Sequence, residues 1–372
     1  MRLAMPEGRW APYSSRPGTP SKGRRVRTGA HTQGEEATVR EFWRRGLALA
    51  IALFLGLAAG EVSAEEAQAG RSPWGPDDEI GSLNRMNEAS RAAVLSRIAG
   101  GKVYDLSVEY FVGMPSYYGL GDPRYQYWLT HTPHGAQIDN PANLSPEANR
   151  MVSYTGDAIS LYTHTGTHID ALNHFGLHGR IWNRFEAEKH LGDKGWHKAG
   201  AETIPPIVAR GVLLDVARAR GVEVLPDSHP IGPEDLQKAL ASQGTELEPG
   251  DVVLIRTGRM LRWPDDEAYM AHEPGLDLAG ARWLVEEKGA MLLGADNLSL
   301  EVMPPVDEGS WVPVHTYLLA EQGVPFLEVV DLEALAKDHV YEFAFVAAPL
   351  RLRGASGAPL RPLAFPLRPS GP

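Results

Sequence analysis

Between residues 65 and 372 the apolar positions fall into short runs rather than long helical stripes. Gly211-Val-Leu-Leu-Asp215, Asp251-Val-Val-Leu-Ile-Arg-Thr257 and Met291-Leu-Leu-Gly-Ala295 are apolar segments of the length that buried strands take. Lys102–Val108 (KVYDLSV) alternates with a period of two, and His339–Pro349 (HVYEFAFVAAP) reads as a further strand. Ile159–Thr163 reads as a strand that delivers the histidine-rich stretch after it. Helices are predicted between these runs. Asn87 is an N-cap for a helix that Gly100-Gly101 closes, Pro233 opens a second at its first turn, and Ala279–Lys288 forms a third. Tyr110–Trp128 is rich in aromatic residues, glycine and proline and reads as a loop. Strands and helices mix without strict alternation, which predicts a single α/β or α+β domain over residues 65–372.

The first 64 residues break this pattern. Residues 1–39 are polar and rich in Arg, Gly, Pro and Ser, a composition that predicts a disordered or untranslated extension. Arg44-Arg45 then precede the apolar run Leu47–Ala59, and Val62-Ser63-Ala64 follows as a small-residue exit. Basic start, short apolar middle and small-residue end describe a signal peptide over residues 40–64 and a periplasmic or secreted mature chain. Thirteen apolar residues are too few to span a bilayer comfortably, so no stable membrane association is expected after cleavage. Residues 1–64 carry ten basic and five acidic groups, so removing them takes the net charge from -11 to -16. That balance excludes nucleic acid as a partner and favours divalent cations. Cysteine is absent, so thiolate metal sites, disulfides and cysteine nucleophiles are excluded.

Candidate chemistry concentrates in Tyr162-Thr-His164-Thr-Gly166-Thr167-His168-Ile-Asp170-Ala-Leu-Asn-His174-Phe175. Three histidines and one carboxylate occupy the eleven residues 164–174. Imidazole and carboxylate are common ligands of zinc and other divalent first-row metals. Thr165-Gly166-Thr167 is a poor helix interior. The spacing therefore predicts a strand that turns at Gly166 and leads to a short helix near Ala171-Leu172, with His168 and Asp170 on one strand face. Three short ligands leave coordination positions open, which marks a catalytic site, and a fourth histidine not committed to the ion can move protons. Two histidines and a carboxylate with open positions are also the ligand set of non-haem iron oxygenases. A metal-binding protein without catalysis is a third reading.

The pattern His-x-Gly-Thr-His-x-Asp-x-x-x-His resembles the signature of the metal-dependent cyclase-like hydrolases, a family that includes bacterial kynurenine formamidase and isatin hydrolase. The resemblance extends to Asp105-Leu-Ser107 with Met114-Pro-Ser-Tyr117, to Gly294-Ala-Asp296-Asn-Leu-Ser299, to Val314-His315 through Phe326-Leu-Glu328, and to Gly357-Ala-Pro359-Leu-Arg361. It implies a swivelling β/β/α-type domain with a mixed sheet. It further implies that His164, His168 and Asp170 hold a first divalent ion, zinc or manganese, that His315 and Glu328 complete a site for one or two ions, that His174 carries the proton, and that Tyr117 contacts substrate. The implied partner is a small aromatic or cyclic amide (a formamide, lactam or cyclic imide) attacked by an ion-activated water, and the family forms homo-oligomers. Leu172 stands where the formamidases carry proline.

Other candidates are weaker. No Gly-x-Ser-x-Gly elbow, Gly-x-Gly-x-x-Gly or P-loop pattern occurs. The aromatic residues Tyr117, Tyr118, Tyr125, Tyr127 and Trp128 read either as a loop packed on the core or as a wall for a flat substrate. Asp77-Asp78-Glu79 resembles an acidic cation site but reads better as a solvated loop.

Overall fold

Three apolar runs become adjacent parallel strands because each is hydrophobic on both faces. β5 (Ile207–Asp215), β6 (Val252–Arg256), β7 (Leu292–Ala295) and β8 (Phe326–Glu328) lie side by side in parallel. They form the middle of a nine-stranded mixed sheet in a computed structural model that describes residues 67–118, 121–306 and 309–368. The extension 1–39 and the signal segment 40–64 lie outside the described residues. Antiparallel strands complete both sides. Beyond β5 come β9 (Glu342–Ala347), β11 (Leu363–Pro366) and β1 (Tyr104–Asp105); beyond β8 come β4 (His168–Asp170) and β10 (Gly357–Pro359).

Alternation along each central strand divides the core. Val212, Leu214, Val253, Ile255 and Leu293 pack on one side with the helices that link the parallel strands. These helices are α4 (Pro233–Gln243), α5 (Leu278–Arg282, continued as a π-helical turn Trp283–Glu287) and α6 (Pro313–His315, continued by Thr316–Gln322). Leu213, Val252, Leu254 and Leu292 point the other way, against Phe343 of β9, Ile169 of β4 and Leu327 of β8. A sheet covered on both faces explains why its strands read as continuous apolar runs. The helix α1 (Glu88–Ser96) has Asn87 as its N-cap, with the Ser90 N–H donating to the Asn87 side chain and the Asn87 N–H donating to the Ser90 hydroxyl.

Three local expectations are corrected. Ile159–Thr163 is not the strand that delivers the histidines. β3 (Gly156–Ser160) pairs instead with β2 (Gln126–His131), which cuts into the predicted aromatic loop, in a two-stranded hairpin whose β2 residues are all exposed. Alternating apolar residues look the same in an exposed hairpin and a half-buried strand. The segment between these two strands holds the helices α2 (Pro133–Asp139) and α3 (Pro146–Arg150). No helix forms at Ala171-Leu172; the chain makes a turn there, closed by the His174 N–H on the Ala171 carbonyl at 3.0 Å. Of KVYDLSV only Tyr104 and Asp105 form a strand of the sheet, and further along the Val108 N–H is taken by Thr167 Oγ1 at 2.9 Å. The acidic run is also tied down. Asp78 accepts from the Ile80 and Gly81 backbone and from Asn84 and Trp182, while Glu79 pairs with Lys198 at 2.8 Å.

Candidate functional site

The histidine stretch enters the sheet through a turn that only glycine fits. Gly166 has φ +63°, and a Cβ on it would lie 2.7 Å from the Tyr110 ring and 2.9 Å from Met114 Cε. Thr167 then anchors the turn, donating its hydroxyl to the Val329 carbonyl at 2.6 Å and accepting the Val108 N–H. β4 follows between β8 and β10. In this register His168 lies opposite Glu328, and Asp170 lies opposite Phe326 and Gly357. Residues two apart on a strand share a face, so His168 and Asp170 turn one way while Ile169 enters the core. His315 arrives on α6, and the turn at Ala171 carries His174.

These elements bring the six candidate ligand and proton-carrying residues together at one place. Ligand atoms of His164, His168 and Asp170 lie within 4.8 Å of one another, and so do those of Asp170, His315 and Glu328. His164 Nδ1 is 2.6 Å from Asp170 Oδ1, His168 Nε2 is 3.0 Å from Glu328 Oε2 and 3.3 Å from Asp170 Oδ1, and His315 Nε2 is 3.3 Å from Glu328 Oε1. The five are buried, and Asp170 is the carboxylate common to both groups.

The donor set fits a divalent ion. His168 Nδ1 donates to the Gly166 carbonyl at 2.8 Å, which leaves Nε2 facing the two carboxylates. His168 Nε2, Asp170 Oδ2 and Glu328 Oε1 are buried without a hydrogen-bond partner. Buried polar atoms without partners are costly, and three of them converging is the arrangement a cation relieves. With no ion, burial lowers the basicity of His168, but Asp170 and Glu328 outweigh it and push the ring up to about 10. His315 behaves alike, its burial outweighed by Glu301 and Glu328, at about 10. Zinc and manganese both suit such nitrogen and oxygen ligands.

Two partners of the ligands carry no mark in the sequence. Glu301, fully buried, lies 2.5 Å from His315 Nδ1 and accepts the backbone N–H groups of Val314 and His315, so it orients the ring. Ser356 Oγ lies 2.9 Å from His164 Nε2. Gly357 beside it leaves room for that ring: a Cβ there would lie 2.6 Å from His164 Cε1.

The cluster forms the floor of a cavity of about 710 Å³. Tyr117, Tyr118, Tyr162, Phe175 and Trp311 supply aromatic wall. Of the aromatic residues read as either core or wall, Tyr117 and Tyr118 are wall, Tyr125 packs in a buried cluster, and Tyr127 and Trp128 lie exposed on β2. His174 lines the same cavity, its ring stacked on His164 with centroids 3.9 Å apart and Nε2 3.6 Å from Asp170 Oδ2. Burial, with the nearby His164, His315 and His168, holds His174 well below the usual imidazole range against the opposing pull of Asp170. The neutral ring is therefore favoured.

Comparison with known proteins places the chain among relatives of known fold. The chain is 26% identical over 264 residues to Cyclase-like protein 3 of Oryza sativa subsp. japonica, a match covering 70% of this chain and 79% of that protein. A solved structure described as a novel cyclase aligns with TM-score 0.70 and 29% identity over 80% of this chain and 100% of its own. Isatin hydrolase A from Ralstonia solanacearum shares the fold, with TM-score 0.54 and 23% identity over 71% of this chain and 91% of its own. Residues 104–302, more than half of the chain, match the family described as "Putative cyclase". The chain belongs to the Cyclase family.

Proposed function

We propose that this chain is a metal-dependent hydrolase of small uncharged amides: formamides, lactams or cyclic imides with a flat aromatic or cyclic body. The observation that carries the reading is the cluster of three partnerless buried atoms, on His168, Asp170 and Glu328, beside an aromatic cavity that Glu328, His164 and His315 line. His164, His168 and Asp170 would hold a first ion, and His315 with Glu328 would complete the site for one or two ions. Such an ion acidifies water towards neutral pH and polarises a carbonyl. His174, neutral and turned to the cluster through Nε2, takes the proton from the attacking water and returns it to the leaving nitrogen.

The walls select the substrate. A cavity of this size suits a small ring system. Among the described residues no lysine or arginine lines it, and Asp122 is the one charged side chain there outside the cluster. A carboxylate-bearing substrate would thus meet no cationic side chain in the wall. The test is a metal-loaded, anaerobic screen of N-formyl aromatic amines, isatin-like lactams and cyclic imides. Turnover with zinc or manganese is expected. Silence on all three with metal bound stoichiometrically overturns the reading, and a strict need for oxygen indicates an oxygenase instead. Residues 40–64 are further proposed to export the chain.

A further inference from the structure

A buried carboxyl group behind the cavity wall has no part in the hydrolytic steps above. Glu273 is 1% exposed. Its Oε2 accepts the backbone N–H groups of Leu298 at 2.6 Å and Ser299 at 3.1 Å, and its Oε1 lies 2.9 Å from Ser299 Oγ. Ser299 Oγ is in turn hydrogen-bonded to the Tyr117 hydroxyl. Ser299 and Tyr117 both line the cavity. An unbroken chain of hydrogen bonds therefore runs from Glu273 to the substrate space.

The direction of that chain depends on one proton. A carboxylate only accepts, whereas a neutral carboxyl group also donates. With Glu273 ionised, Ser299 gives its single proton to Oε1 and Tyr117 gives its own to Ser299. The phenol oxygen then offers only lone pairs to the cavity. A proton on Glu273 must sit on Oε1, because two N–H groups already point at Oε2. The chain then reverses: Glu273 donates to Ser299, Ser299 donates to Tyr117, and the Tyr117 proton is free for a ligand.

We propose that Glu273 is a positioning residue that, through Ser299, determines whether Tyr117 meets the substrate as a hydrogen-bond donor or as an acceptor. An amide carbonyl needs the donor, so the productive form has Glu273 neutral; only this step rests on the hydrolase reading. Burial, outweighing the hydrogen bonds from Ser299 and Leu298, raises Glu273 to about 8, and Glu328 adds to the rise. The titratable groups that face it are Tyr117, Tyr269 and Glu328. A dication beside Glu328 removes that part of the rise, so the loaded protein titrates lower than the metal-free one.

The test uses binding of oxindole, an unactivated lactam, measured by calorimetry on the metal-loaded full chain from about pH 6 to about pH 10. In the unsubstituted protein the affinity falls about 10-fold as Glu273 ionises, the worth of one lost hydrogen bond. Glu273→Gln places its amide nitrogen towards Ser299 and mimics the neutral acid, so binding stays tight across the range. Tyr117→Phe shows no pH dependence and binds throughout with the weak affinity that the unsubstituted protein has at high pH. Ser299→Ala severs the chain and abolishes the pH dependence, which keeps the question open to answer should Glu273→Gln fail to fold. An infrared band of a neutral carboxyl group, absent from Glu273→Gln, titrates with the same midpoint. A pH dependence that persists in Glu273→Gln or Ser299→Ala overturns the proposal, as does failure of oxindole to bind. A silent amide screen combined with this binding pattern would remove the hydrolase reading and leave the Tyr117 relay standing.

Discussion

His168 and Glu328 stand opposite one another in the antiparallel pair of β4 and β8, with Nε2 3.0 Å from Oε2 and no hydrogen bond made by that nitrogen. Sheet register thus places a ligand from one side of the chain against a ligand 160 positions away. Glu328→Gln keeps the shape and removes the charge. Its affinity for zinc, measured by competition with a chelator, is expected to fall by more than about 100-fold. Glu301→Gln, which loosens His315 without touching the ion, is expected to cost about 10- to 100-fold in the same assay. Equal affinities for Glu328→Gln and the unsubstituted chain would place the ion elsewhere.

His174 separates catalysis from binding. Its ring lies against His164 yet outside the two groups whose ligand atoms converge. His174→Gln is expected to lower turnover by about 10²- to 10⁴-fold while leaving metal affinity within about 3-fold. A large loss of affinity instead would make His174 a ligand and favour a closed, non-catalytic site.

Gly357 is a structural requirement of the His164 position. A Cβ there would meet the His164 ring at 2.6–3.0 Å. Gly357→Ala is expected to destabilise the fold by about 1–3 kcal/mol in denaturant unfolding and to weaken metal binding by turning the ring. Gly101→Ala, where nothing lies within 4 Å of the new atom, is the control and should change stability by less than about 0.5 kcal/mol.

How much of this was legible in the sequence follows from distance along the chain. His164, His168, Asp170 and His174 fall within eleven residues, so their spacing carries the site. His315 and Glu328 lie about 150 residues on and were visible only through family resemblance. Glu301, Ser356 and the Glu273–Ser299 pair gain their roles from tertiary approach alone, and a carboxylate between apolar residues has no periodicity to announce it. The central strands were legible because burial on both faces leaves unbroken apolar runs. The β2–β3 hairpin was not, because its apolar side chains face outwards: Tyr127, Trp128, Leu129 and Ile159 are exposed.

Export makes a separate prediction. Amino-terminal sequencing of the protein recovered from a secreting host should begin at or near Glu65, just after Val62-Ser63-Ala64. A mature chain that starts well before Ala64 would rule out cleavage there.

Glu273 also links stability to pH. Its carboxyl group lies at about 8 in the fold against an ordinary value of 4.5, with burial as the main cause. A raised value means the folded chain holds this proton more tightly than the unfolded chain. The contribution is full below about 4.5, is lost as pH rises towards 8, and is gone above it. Over that window the group lowers the unfolding free energy by up to about 1.4 kcal/mol for each unit of pH. Glu273→Gln has no such proton to lose. Urea unfolding of both proteins, metal-free, should therefore show the difference between them moving in favour of glutamine from about pH 5 to about pH 8 and constant above. A difference that stays flat across the window would mean that Glu273 is ionised in the fold, and Tyr117 would then face the cavity as an acceptor throughout.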